Sequence, residues 1–137
     1  MKVILDTNVF MSGIFFHGAP YDILDAWHRG QVHLVVSPDI LSEYRRVAAR
    51  LMKTFPGVDA EPFIDLLMVK ASMVESPPLP EQVCTDSADD VFLACALASR
   101  TKIVISGDKA LLKTSGYRGI IVVSPRDFVE RYLKKGN

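Results

Sequence analysis

Four short runs of aliphatic and β-branched residues, Val3 to Leu5, His33 to Val36, Ile103 to Ile105 and Ile120 to Val123, recur along this chain with a helical or turn pattern between each and the next. Apolar runs this short, bounded by turn residues, read as strands buried on both faces. Strands that alternate with helices pair in parallel, because each return to the sheet needs a crossover. The expected fold class is therefore α/β: a three-layer α/β/α arrangement around a central parallel sheet of four to five strands. A short edge strand around Met73 to Glu75 would be the fifth. At 137 residues the chain suits one domain, spanning 1–137, with one real core.

The helices between the strands announce themselves by period and by caps. Pro20 to Arg29 places Ile23, Leu24 and Trp27 on one face. Ser37-Pro38 supplies an N-cap and a first-turn proline for a helix carrying Ile40, Leu41, Tyr44, Val47 and Leu51. Glu61 to about Met73 carries Phe63, Leu66, Leu67 and Val69, and the prolines of 76–80 then impose an extended connector. Ser87 to Ser99 joins an acidic first turn, Asp89-Asp90, to a run from Val91 that is apolar all round, as a core helix is. Ser124-Pro125 opens a last helix with Phe128, Val129, Tyr132 and Leu133 inward and a basic Lys134-Lys135 end.

Composition narrows the function by exclusion. No apolar run approaches the roughly 20 residues a membrane span requires, and Met1-Lys2 leads into a strand rather than a signal-peptide core, so a cytoplasmic protein without membrane association is expected. Cys84 and Cys95 lack the spacing of a zinc or redox pair and read as small buried hydrophobes. Lys+Arg and Asp+Glu are 16 each, so no overall basic charge announces a nucleic-acid binder. The 49% hydrophobic content leaves apolar surface for self-association or a partner protein to cover.

The acids are where chemistry gathers. Asp6 follows Val3-Ile-Leu5 directly, and Asp108 follows Ile103-Val-Ile-Ser106-Gly107. In an open parallel sheet, ligands bind in the crevice at the carboxyl ends of the strands, so both acids stand at its mouth, with Ser106 able to hydrogen-bond beside them. Glu43, with Asp39 one turn before it, can lean toward the same crevice from the helix after the second strand, and Asp89 and Asp90 can do so from theirs. Singly, each is an ordinary turn former, cap or solvated helix charge. Several converging carboxylates repel one another, and a hard divalent cation removes that cost. No Lys or Arg adjoins Asp6 or Asp90, and His17, His28 and His33 lack ligand spacing, which favours Mg²⁺ or Mn²⁺ over zinc and points to metal-assisted phosphoryl transfer.

Three apolar residues before Asp6-Thr-Asn8, an acid in the helix after the second strand, the Asp86-x-x-Asp89-Asp90 cluster opening an apolar helix, and Ser106-Gly-Asp108 near the end together resemble the PIN-domain ribonucleases. The order and spacing agree along the whole chain. More narrowly, Cys84-Thr-Asp-Ser-Ala-Asp-Asp-Val-Phe-Leu-Ala94 resembles the VapC-like toxin components of toxin–antitoxin systems. That resemblance implies a five-stranded parallel sheet, endoribonuclease activity on single-stranded RNA, frequent dimerisation to a homodimer, and an antitoxin protein that blocks the site. By it, Asp6, Glu43, Asp90 and Asp108 match the family's acidic, catalytic metal-binding quartet, with Asp89 and Asp86 as neighbours that leave the choice of ligand among the three open. Asn8 and Ser106 match positions that support the site through hydrogen bonds. A neutral chain must gather its own basic track for RNA, and the candidates are Arg45, Arg46, Arg50 and Lys53 on one helix with Lys109 and Lys113 beyond the last acid.

Rival readings make sharper demands. A phosphatase of the haloacid-dehalogenase type needs a second acid two residues after the first, where this chain has Asn8, and a receiver-like phosphoacceptor needs paired acids just after the first strand. A non-enzymatic RNA- or protein-binding module would leave acidic positions unfilled, and here all are filled.

Overall fold

The computed structural model describes residues 1–134. β1 (Lys2–Leu5) leads directly into α1 (Thr7–Phe15) and α2 (Ala19–His28), followed by β2 (His33–Val36), α3 (Pro38–Thr54), α4 (Glu61–Lys70) and β3 (Ser72–Met73). A long connector then reaches a short 3₁₀ turn (Ser87–Asp89) that runs into α5 (Asp90–Ser99), β4 (Ile103–Ile105), α6 (Lys109–Leu112), β5 (Ile121–Val123) and α7 (Pro125–Phe128). The last helix widens into a π-type turn over Val129–Leu133, and Lys135 lies outside the described residues.

The strands form one five-stranded sheet in the order β3-β2-β1-β4-β5, every neighbouring pair parallel. The chain steps outward from β1 to β3, then returns to β4 and continues to β5, so its direction reverses between β1 and β4. Right-handed crossovers place the connections of the two halves on opposite faces. α1 packs on α2 and α3 on one side, while α5 lies across β1, β2 and β4. The fold is the three-layer α/β/α expected, with the sheet at its centre.

The caps behave as their chemistry dictates. Ser37 Oγ accepts from the Ile40 amide at 3.2 Å and Ser124 Oγ from the Asp127 amide at 3.2 Å, each satisfying an otherwise orphaned first-turn donor. Ile23, Leu24 and Trp27 of α2 and Ile40, Leu41, Tyr44 and Val47 of α3 are buried as the period required. α4 departs from its expected extent and face. It stops at Lys70, because Ala71 turns extended (φ −75, ψ 149) to feed β3, and its inward residues are Ile64 and Leu67 while Val69 is 82% exposed.

α1 is the element the sequence did not announce. Thr7, Asn8 and Val9 are poor helix formers, and Gly13 sits in its last turn. Packing explains the glycine: a Cβ there would meet Leu24 Cδ1 at 2.6 Å and the Pro20 carbonyl oxygen at 2.8 Å, so only a bare backbone lets α1 and α2 lie this close.

Candidate functional site

The reversal between β1 and β4 opens a crevice at the carboxyl ends of those two strands, and the first residues beyond them are Asp6 and Ser106. Asp6 caps α1, its Oδ1 accepting from the Asn8 backbone amide at 3.4 Å. Ser106, fully buried, donates its hydroxyl to Asp6 Oδ2 at 2.6 Å and accepts from the Asp108 amide at 3.0 Å. One hydroxyl therefore ties the ends of adjacent strands together and fixes the rotamer of the buried acid. The Asn8 contact runs through its backbone rather than its side chain, which is exposed.

Asp6 is only 6% exposed, and burial lifts its carboxyl above the usual range. The Ser106 and Asn8 hydrogen bonds pull it back, and the negative charges of Asp108 and Glu43 push it up again. Asp89, half-buried just before α5, is lifted to about 6 by burial and then by Asp6, Asp86, Asp108 and Glu43. Asp6, Glu43, Asp89 and Asp108 thus share one field although four different elements deliver them. Among the described residues, the ion pairs are Arg29 with Asp25 and, loosely at 3.7 Å, Arg46 with Glu43, so none of their cations lies within ion-pair distance of Asp6, Asp89 or Asp108.

Asp90 is oriented differently from Asp89. Its Oδ1 accepts from the Cys84 amide at 2.7 Å and its Oδ2 from the Val83 amide at 3.1 Å, latching the end of the proline-rich connector onto α5. Burial, and then the Asp90 carboxylate beside the side chain, push the Cys84 thiol up to about 12, making it an inert buried group. Asp86 is exposed and caps the turn through the Ala88 amide at 3.0 Å. The latched connector walls a cavity of about 390 Å³ beside the acids, lined by Asp39, Leu79, Glu81, Ser87, Asp90 and Val91 among others.

Two residues with a part here carried no polar signal in the sequence. Tyr44 reads as an apolar helix position, yet its hydroxyl donates to the Leu5 carbonyl one residue before Asp6, and its ring stacks on Phe10 at 4.5 Å. Complete burial, then Asp6, Cys95 and Glu43, hold that hydroxyl well above its ordinary range. Thr7 Oγ1 is buried without a partner directly after Asp6.

Among the described residues no three carboxylate, imidazole or thiol side chains already stand at metal-caging separations. The donor chemistry nonetheless suits a hard divalent cation: all-oxygen ligands, two of them with raised pKa values, and the three histidines exposed elsewhere. The cationic candidates Arg45, Arg46, Arg50, Lys53, Lys109 and Lys113 are all exposed, and Arg46, Arg50 and Lys53 form a stripe that begins one turn beyond Glu43.

The sequence model of the PIN domain matches residues 2–110, which includes every acid of the crevice. The chain belongs to the PIN-domain family. That assignment removes the phosphatase-like and receiver-like alternatives. The PIN fold of this chain is also similar to a solved structure described as VapBC2 from Rickettsia felis bound to a DNA fragment from their promoter, with a TM-score of 0.61 over 90% of this chain and 98% of that one at 12% identity. No curated protein matches the sequence. Among the described residues, no helix is long and apolar enough to cross a membrane.

Proposed function

We propose that this PIN domain is a Mg²⁺- or Mn²⁺-dependent endoribonuclease that hydrolyses phosphodiester bonds of single-stranded RNA in the cytoplasm. The observation that carries this reading is the set of carboxylates at the topological reversal, mutually repelling, with Asp6, Asp89 and Asp108 unpaired by any cation of the described residues and Glu43 paired only loosely, with Arg46 at 3.7 Å. Asp6, Glu43, Asp89 and Asp108 would hold the metal. Asp89 takes the third position in preference to Asp90, because both oxygens of Asp90 already accept backbone amides. A bound divalent cation supplies charge neutralisation for the phosphodiester and lowers the pKa of a water. Ser106 keeps Asp6 aimed into the crevice, and its buried hydroxyl proton stays on the Asp6 side because the Asp108 amide occupies its acceptor face. The stripe Arg46, Arg50, Lys53, with Arg45, Lys109 and Lys113, would receive the RNA backbone.

The VapBC2 likeness supports a further part of the reading: that the chain is the toxin of a toxin–antitoxin pair, checked by an antitoxin protein. A homodimer belongs to the same proposal. Exposed Phe16, Tyr21, Phe55 and Met68 provide the apolar surface such partners would cover. The test is incubation of protein freed of any co-purifying partner with single-stranded RNA and duplex DNA, in Mn²⁺, Mg²⁺ or chelator, beside Asp6→Asn. Metal-dependent RNA cleavage lost in the variant is expected. Metal binding without cleavage of either polymer would replace the nuclease with a binding module.

A further inference from the structure

The amino ends of β4 and β5 carry a feature the acidic centre does not use. Arg100 and Lys102 lie immediately before β4, and Arg118 lies in the turn before β5. Because those strands are parallel neighbours, both approaches open at the same edge, opposite Asp6 and Asp108. The three cations line one cavity of about 320 Å³, together with Ala96, Leu97 and Ile120.

Both arginines occupy backbone that suits glycine. Arg100 (φ 57, ψ 35) and Arg118 (φ 48, ψ 34) are the non-glycine residues with positive φ among the described residues. Each Cβ there costs energy that a glycine would avoid. The cap at Arg100 needs no side chain, since its backbone amide closes on the Ala96 and Leu97 carbonyls. Complementing the α5 dipole would account for one cation but not for Arg118, which another segment supplies. Neither arginine nor Lys102 has a carboxylate within ion-pair distance or a side-chain hydrogen bond among the described residues, and Arg118 rests over the Tyr117 ring at 5.6 Å.

We propose that Arg100, Lys102 and Arg118 form a second ligand site that takes a phosphate group, carried by a nucleotide or a single-stranded polynucleotide. The cavity falls within the roughly 300–1,000 Å³ of small-ligand pockets, guanidinium forks match phosphate oxygens in pairs, and Leu97 and Ile120 offer an apolar wall to the attached sugar or base. The site stands on its own cations and does not depend on the nuclease reading.

The experiment uses the full chain in chelator, which silences any metal-bound phosphate at the acidic centre. Melting is followed against inorganic phosphate, adenosine monophosphate and a short single-stranded RNA, each beside sodium chloride at matched ionic strength. Wild type is expected to gain stability from phosphate beyond the chloride control. Arg100→Gly/Arg118→Gly should melt no lower than wild type, because glycine relieves the backbone, and should bind phosphate weaker by about 10-fold or more per arginine. Lys102→Gln, which leaves the backbone alone, should weaken it in the same direction. Tighter binding of the mononucleotide than of inorganic phosphate identifies a nucleotide site, and binding strengthened only in the RNA arm, with steep salt dependence, identifies a strand-binding site. An equal phosphate response in wild type and the double-glycine protein, or a double-glycine protein that melts several degrees lower, overturns the proposal.

Discussion

The two ends of the parallel sheet differ in charge as sharply as one short chain permits. At the carboxyl end, Asp6, Asp86, Asp89, Asp90 and Asp108 leave or flank the strands and connections, and burial first, then neighbouring negative charge, keeps Asp6 and Asp89 reluctant to ionise. At the amino end, Lys2 opens β1 and Arg100, Lys102 and Arg118 precede β4 and β5, with no Asp or Glu in the same approaches. The 16 basic and 16 acidic residues cancel in sum, yet the residues at these two ends of the sheet differ in sign. Net charge of zero excludes little about polyanion binding, because local fields are set by arrangement. The acid end is built from capping carboxylates tied by a buried serine, whereas the basic end is built from exposed side chains, two of them, Arg100 and Arg118, on unrelaxed backbone.

The largest test of the acid end is Asp6→Asn. It removes one charge from a field of four while keeping shape and the capping acceptor. Cleavage should fall by roughly 100-fold or more, about 2.7 kcal/mol of transition-state stabilisation, with melting little changed. A smaller loss, roughly 10- to 100-fold, is expected for Ser106→Ala. That change frees Asp6 Oδ2 from its donor and lifts the Asp6 carboxyl further, since the Ser106 bond is the larger of the two that lower it. An Asp6 titration by NMR that does not move upward in Ser106→Ala would show that the serine merely joins two strands.

Asp89 and Asp90 are adjacent in sequence and should behave oppositely. Asp90→Ala strands two backbone amides of the connector and should cost about 1–3 kcal/mol, with the metal-induced rise in melting retained. Asp89→Asn removes a repelled charge. A raised carboxylate pKa means the folded state holds the proton more tightly than the unfolded chain, so this group's contribution is present below the unfolded value and lost as pH climbs through about 6. At neutral pH the metal-free variant should therefore be more stable than wild type, by about 1 kcal/mol once solvent screening of a half-buried group is allowed for. The difference should vanish in acid, and the stabilisation by Mn²⁺, about 2.7 kcal/mol at 100-fold excess over Kd, should shrink. Paired melts at two pH values, with and without Mn²⁺, check all of this; a metal response lost in Asp90→Ala and kept in Asp89→Asn would reverse the assignment.

That pair also marks where the sequence stops being legible. Four strands and the caps at Ser37 and Ser124 could be read because each rests on local chemistry: β-branched runs, a hydroxyl three residues before a free amide. The edge place of the fifth strand was anticipated, around Met73 to Glu75, and it falls at Ser72–Met73; the reversal at β1 and β4 depends on crossover order, which alternation alone does not fix. The choice among Asp86, Asp89 and Asp90 could not be read, because one residue of rotation decides whether a carboxylate faces the crevice or the Val83 and Cys84 amides, and the connector that brings those amides is long and irregular. α1 was hidden for a related reason. Its propensity is poor, and what holds it is burial of Val9, Phe10 and Met11 together with the close approach at Gly13.

The smallest expected effect asks whether the two ends communicate. β4 is three residues, about 10 Å of extended chain, which is also roughly one screening length at 0.1 M salt. Lys102 before it and Asp108 beyond it are therefore on opposite sides of a sheet whose middle is wholly buried. A charge removed from the exposed Lys102 should alter stability by no more than about 0.5 kcal/mol and leave the Mn²⁺-induced shift in melting unchanged. The same substitution at Lys109, one residue from Asp108, should move that shift measurably, because a cation beside the acids competes with the metal for their field. If Lys102→Gln perturbs the metal response as much as Lys109→Gln does at 0.1 M salt, the ends form one electrostatic unit, and the polarity of the sheet, rather than either cluster alone, is what the fold has arranged.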